Sequence, residues 1–216
     1  MIAVIRNMFD GLFRGIFNKK KKFKIGLYGP PNSGKTTLAN RICKDLIDDE
    51  SELGEVSNIA HETRKINMKE ELSVRINGKI LNFDLIDTPG IATRIDFEHF
   101  TKAGMTEKQA KQRAKEATKG VIESIRWLDN IDIVVIVLDS TKSPYNQVNL
   151  TIIGNLEARN IPTLIVANKT DLKSSKISKL AEAFPKYNIV GISAKFAQNM
   201  QELYKELFRL SKRRAG

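Results

Sequence analysis

Eight consecutive residues, Gly29-Pro30-Pro31-Asn32-Ser33-Gly34-Lys35-Thr36, have the types and spacing of a polyphosphate cradle. Holding phosphate takes several backbone N–H groups aimed at one point, a cation that reaches past them and a helix N-terminus behind, and the pattern GxxxxGK(S/T) supplies these in order. Gly29 and Gly34 permit the tight wrap, Lys35 spans the β- and γ-phosphates, the Thr36 hydroxyl coordinates magnesium and Thr37 extends the same segment. Asp87-Thr88-Pro89-Gly90 adds a second part of the site: Asp87 holds the metal through water, and Gly90 offers a backbone N–H that senses the γ-phosphate. Asp-x-x-Gly alone is a weak signal, and its weight comes from following the apolar run Phe83-Asp84-Leu85-Ile86. A threonine on a mobile loop is needed to close over the metal, and Thr63 is the one threonine between Leu38 and Ile86. Its neighbour His61 reads as an exposed loop residue rather than a catalytic base.

A phosphate loop does not distinguish ATP from GTP. Asn168-Lys169-Thr170-Asp171, directly after an apolar strand, does. A carboxylate accepts from both N1–H and the exocyclic amine of guanine, a donor pair that adenine lacks, so Asp171 carries the discrimination. Lys169 lays its aliphatic stem on the base and Asn168 ties this loop to the phosphate loop. Ser193-Ala194-Lys195, after the last strand, adds the Ala194 N–H for guanine O6.

The elements that must position these groups follow from periodicity. Phe23 to Tyr28 reads as a buried strand, and Leu38, Ile42, Leu46 and Ile47 recur at helical spacing behind the phosphate loop. Residues 65–77 and 79–86 alternate as two antiparallel strands around Asn77-Gly78, a turn whose two central positions favour positive φ. Strands at Ile131 to Leu138, Thr163 to Ala167 and Asn188 to Ile192 are separated by helical segments. The long connection from Ile91 to Asn130 is mostly helix, with Thr106 and Gln109 as a capping box and Ala110, Ala114, Ala117, Val121, Ile125 and Leu128 as an apolar stripe. The expected fold is a three-layer α/β/α P-loop nucleotide-binding domain, with a mostly parallel six-stranded sheet containing one antiparallel strand.

Composition fits one domain with additions: 216 residues, 41% hydrophobic and 28% charged, with no apolar run long enough for a membrane span. Cys43 is the one cysteine and falls on the first helix, where a small buried hydrophobe is its usual meaning. Without a signal peptide the expected location is cytoplasmic. Residues 1–22 form an amphipathic and basic extension and residues 23–212 the nucleotide-binding domain. The net charge is +11, and residues 1–24 hold seven basic residues against Asp10, over half of the excess. Ile5, Met8, Phe9, Leu12, Phe13, Ile16 and Phe17 fall on one helical face ahead of Lys19–Lys22. One reading of residues 2–22 is an anchor on an anionic membrane surface, giving a peripheral membrane location; another is a helix packed on protein. A basic face of Lys108, Lys111, Arg113, Lys115 and Lys119 points instead to RNA or the ribosome, although no aromatics interleave with it to stack on bases.

The residues Gly29 to Thr36, Thr63-Arg64, Asp87 to Gly90, Asn168 to Asp171 and Ser193 to Lys195, with the hairpin between the two switch segments, resemble the Era-like group of the translation-factor (TRAFAC) class of P-loop GTPases. The resemblance covers about residues 23–210. It implies a GTP/GDP switch with Mg2+, in which Lys35, Thr63 and Asn32 serve catalysis. Asn32 stands where Era-like proteins use asparagine to hold a monovalent cation, K+, and Ile91 stands where Ras-like enzymes have a water-orienting glutamine. Slow intrinsic hydrolysis, aided by potassium or a partner, is the implied behaviour. An effector protein and nucleotide-dependent pairing of two copies are the further partners this class of switch implies. Era itself carries a C-terminal RNA-binding KH domain, whereas the sequence here runs about twenty residues past the last motif.

Overall fold

The computed structural model describes residues 22–47, 66–90, 104–145 and 147–215. Residues 2–17, Lys19–Lys21, His61, Thr63, Arg64 and Ile91 lie outside them. Strand β1 (Lys22–Tyr28) leads through the phosphate loop into helix α1 (Lys35–Ile47), followed by β2 (Asn67–Ile76) and β3 (Lys79–Asp87). Then come α2 (Glu107–Trp127), β4 (Ile133–Asp139), α3 (Gln147–Glu157), β5 (Thr163–Asn168), α4 (Ile177–Ala183), β6 (Ile189–Gly191) and α5 (Met200–Ala215). The sheet order is β2-β3-β1-β4-β5-β6. Only the β2–β3 pair is antiparallel; β1 runs parallel to both β3 and β4. The mostly parallel six-stranded sheet expected from the sequence is therefore present.

Local signals placed the elements well. Asn77 and Gly78 adopt φ 48° and 75°, the two positive values that a tight hairpin turn requires. Thr106 caps α2 with both halves of the capping box formed: its side chain accepts from the Gln109 N–H, and Gln109 Oε1 accepts from the Thr106 N–H at 3.0 Å. Along α2, Ala110 is buried and Val121 and Ile125 pack on the core. The strand expected from Ile131 starts two residues later, because Ile131 N–H is spent closing a 3-10 turn onto Leu128 O.

Alternation splits the core between the two faces of the sheet. Ile25, Leu27, Phe83, Leu85, Val135 and Val166 meet α1 and α5 on one side; Tyr28, Ile86, Val134, Ile136 and Ile165 form the other core with Ile152, Leu156 and Leu180 of α3 and α4. Cys43 is buried and takes part in no disulfide, as its place on α1 suggested. Full burial of a side chain such as Leu38 or Ile42 contributes roughly 1.5–3 kcal/mol. Among the described residues no helix is long and apolar enough to cross a membrane.

One irregularity interrupts β2. The register shifts between Lys69 and Leu72, and Glu71 takes φ 62°. Its N–H turns inward to the buried Asp84 carboxylate at 3.0 Å, which also receives the Lys22 ammonium at 2.8 Å. Three strands thus share one carboxylate. Asp84→Ala is expected to lower the unfolding free energy by about 1–3 kcal/mol, mostly through the bulge N–H, because Lys22 is partly exposed and its pairing is screened. Urea unfolding measures it, and Asp84→Asn, which keeps an acceptor, should lose less.

Candidate nucleotide-binding site

Every sequence-predicted group among the described residues lies at or just beyond the C-terminal end of β1, β3, β5 or β6. The phosphate loop turns through Gly29 (φ 148°), Asn32 (φ 60°) and Gly34 (φ 96°). A Cβ on Gly29 would sit 2.3 Å from Val137 O, and one on Gly34 would sit 2.2 Å from Asn168 Nδ2. Both glycines are therefore required by space as well as by φ. Lys35 opens α1, and its buried ammonium folds back to donate to Gly29 O (3.2 Å) and Pro30 O (2.9 Å). Burial pulls its pKa down to about 8, with the Asp87 carboxylate acting the other way.

Asp87 ends β3 fully buried. Its Oδ2 accepts from the Thr36 hydroxyl at 2.7 Å, while Oδ1 has no hydrogen-bond partner among the described residues. Burial holds this carboxyl above its ordinary range, opposed by the Thr36 hydrogen bond and by Lys35. The Ser33 hydroxyl is a second buried oxygen with no hydrogen-bond partner among the described residues. The Asp87 carboxylate and the Thr36 hydroxyl in contact with it are hard oxygen donors, and with the Lys35 ammonium near that carboxylate the residues fit magnesium together with a polyphosphate. Thr88 donates to Leu27 O at 2.7 Å, fixing the start of the Asp87–Gly90 loop to β1. Gly90 lies against the phosphate loop, where a Cβ would come 2.8 Å from Pro31 N and Cα.

Asn168 joins three loops. Its Nδ2 donates to Ser33 O of the phosphate loop at 2.9 Å, and its Oδ1 accepts from Ala194 N–H at 3.1 Å. The first contact is the one expected from the sequence. The second differs from it: the Ala194 N–H, expected to face guanine O6, already has an acceptor, because a buried N–H costs free energy unless paired and Asn168 supplies the nearest oxygen. A base carbonyl would share this donor. Ser193 shapes the loop, with its hydroxyl accepting from Phe196 N–H at 3.3 Å and its backbone bridged to Gln198.

Lys169 has φ 68°, and its ammonium donates to Asn32 O (2.8 Å) and Asp139 Oδ2 (2.7 Å), so its stem stretches from the base loop to the phosphate loop. Asp171 is exposed, with its carboxylate unengaged by other described residues. Lys195 is exposed and places its ammonium 5.2 Å from the centroid of the Phe196 ring.

Two residues were missed. Asp139, at the end of β4, takes Lys169 on one oxygen and the Thr141 N–H (3.0 Å) and hydroxyl (2.6 Å) on the other. Burial works against its charged form, but the hydrogen bonds from Lys169 and Thr141 outweigh this and hold the carboxyl below its ordinary range. Ser140 follows it, donating its hydroxyl to Asn168 O at 2.7 Å. The available signal was an acidic residue terminating an apolar strand, the same signal that marked Asp87.

A family model described as 50S ribosome-binding GTPase matches residues 24–169. Among curated relatives, GTPase Der of Ruegeria pomeroyi is 28% identical over 201 residues, 88% of this chain and 36% of that protein. GTPase Era of Rickettsia conorii is 28% identical over 193 residues, 88% of this chain and 48% of that protein. The chain thus spans less than half the length of either relative. Among solved structures, Era in complex with MgGDPNP and nucleotides 1506–1542 of 16S ribosomal RNA has a TM-score of 0.66 at 22% identity, covering 88% of this chain and 57% of that one. A probable GTP-binding protein engB has a TM-score of 0.56 at 24% identity, covering 88% and 99%. These two structures show the fold alone, whereas the family match covers most of the chain and includes both the phosphate loop and the start of the base loop. The chain belongs to the 50S ribosome-binding GTPase family, as an Era-like member of the translation-factor class of P-loop GTPases.

Proposed function

We propose that this chain binds GTP and GDP with magnesium, hydrolyses GTP slowly and works as a molecular switch on ribosomal RNA or the ribosome. The observation that carries the nucleotide reading is the convergence on Asn168: one side chain holds the phosphate loop, the base loop and the Ser193–Lys195 loop in a fixed relation. Gly29 to Thr37 cradle the phosphates, Lys35 redirects its ammonium from Gly29 O and Pro30 O to the β- and γ-oxygens, and Thr36 and Asp87 turn their oxygens to the metal. Magnesium held by Thr36 and Asp87 would supply positive charge to offset that of the phosphates. Asp171 reads guanine, with Lys169 along the base, and Thr63 closes over the metal from the first switch loop. Calorimetry with GTP, GDP and ATP in magnesium tests the reading, and equal affinity for ATP and GTP would overturn it.

The RNA target is supported by the family and by the Era relative solved with 16S ribosomal RNA. A membrane target rests on residues 2–22 alone. We treat residues 1–22 as an extension of the domain at 23–212, although Lys22 already belongs to β1 and pairs with Asp84.

Asn32 is the proposed potassium ligand. Its backbone O already holds Lys169 and its φ is positive, so Asn32→Gly removes the amide while leaving the loop's conformation and that contact available. Hydrolysis by the parent should run faster in potassium than in sodium at equal ionic strength, and Asn32→Gly should bring the ratio to about one. Equal rates in the two salts for the parent would remove Asn32 from catalysis.

A further inference from the structure

The outer face of α2 carries a straight row of cations. Lys108, Lys115, Lys119 and Arg126 are exposed and recur at spacings of seven, four and seven, which at 3.6 residues per turn keeps them within about 40° of arc. Exposed Lys111 flanks the row. At 1.5 Å per residue the row is about 27 Å long. Arg113, counted with this face on sequence grounds, has no described side chain, and Arg126 joins instead.

Three observations set this row apart from an ordinary solvated face. Lys108, Lys115, Lys119 and Arg126 make no ion pair with any described residue, whereas Lys205 and Arg209 on α5 are matched to Glu202 and Glu206. The opposite side of α2 is fixed: Ala110 and Ser124 are buried, and Ser124 O accepts from the Tyr28 hydroxyl at 3.0 Å, so the row is held outward on a rigid rod. The row is also narrow. Glu116 and Glu123 lie to one side of it, roughly 60–80° round the helix, and Glu107 lies to the other. A broad anionic membrane would meet these carboxylates together with the lysines. A single phosphate backbone, with one charge about every 3.4 Å of duplex axis on each strand, can follow the row and avoid them.

We propose that the outer face of α2 is a docking surface for the phosphate backbone of RNA, contacted by Lys108, Lys115, Lys119 and Arg126 without reading sequence. It deepens the RNA reading above and depends on it for the choice of partner. With no aromatic in the row, the contacts position the RNA and leave base recognition to other surfaces.

Titration of the full chain, loaded with GDP, against a mixed-sequence RNA duplex over a series of salt concentrations tests the surface. Lys115→Gln with Lys119→Gln should weaken binding at least about five-fold at 0.1 M salt and reduce the slope of log K against log salt by about 1.5, two contacts at roughly 0.7–0.9 each. Lys179→Gln with Lys186→Gln, exposed lysines elsewhere, should leave the slope as in the parent. Unchanged slope and affinity in the α2 variant overturn this surface but leave the RNA reading standing. A parent that binds no duplex overturns both. Binding to phosphatidylserine vesicles that falls in parallel with RNA binding would show a non-selective anionic surface and overturn the proposal.

Discussion

Asp171→Asn is expected to exchange guanine for xanthine preference. The carboxylate accepts from two guanine donors, and a neutral amide offers one acceptor and one donor, which matches the N1–H and 2-oxo groups of xanthine. Two charge-assisted hydrogen bonds at roughly 1.5–3 kcal/mol each put the loss of GDP affinity on the order of 10²–10⁴-fold. Asp171 is exposed and its carboxylate is unengaged by other described residues, so the substitution should leave the fold and its unfolding midpoint as in the parent. Calorimetry with GDP and XDP separates the outcomes. A variant that loses GDP and gains no XDP would assign Asp171 a role in shaping the loop, and one that keeps GDP would remove it from the base site.

Asn168→Ala is expected to act on both stability and binding. It leaves Ser33 O and the Ala194 N–H without the partner each has, at about 1–3 kcal/mol apiece, so unfolding free energy should fall by roughly 2–6 kcal/mol. Nucleotide affinity should fall as well, because the phosphate loop and the two base loops lose their common fixed point. Asn168→Asp separates the contributions: it keeps the acceptor for Ala194 N–H and sets a carboxylate against Ser33 O, so it should be the more damaging to phosphate binding. Chemical denaturation and GDP titration of the same samples measure both effects. Parent-like values for Asn168→Ala would mean that the loops are held by other contacts.

Much of this domain was legible before any coordinates, where the information is local. A capping box depends on residues three apart, a primed turn on two adjacent positive-φ positions, and the phosphate loop on glycines whose places are fixed by the backbone path; Thr106–Gln109, Asn77-Gly78 and Gly29–Thr36 formed as their types required. Asp87 and Asn168, which we propose for the metal and base sites, stood out for a related reason, since each ends a buried strand.

The order of residues thus identifies the elements and the chemistry at their ends. Which ends meet follows from how the strands pack together. Asp139 became the seat of Lys169 because β4 lies beside β5 in parallel register, with Asp139 opposite Asn168. Asp84 became the anchor of the β2 bulge because β3 lies between β1 and β2, within reach of both Lys22 and the Glu71 N–H. Asn168 could be read as a tie to the phosphate loop, but its second hold, on Ala194, depends on β6 pairing with β5. Such contacts leave no periodicity in the chain: they join residues far apart in sequence, and their partners are chosen by strand order and register, which follow from burying two faces of one sheet at once.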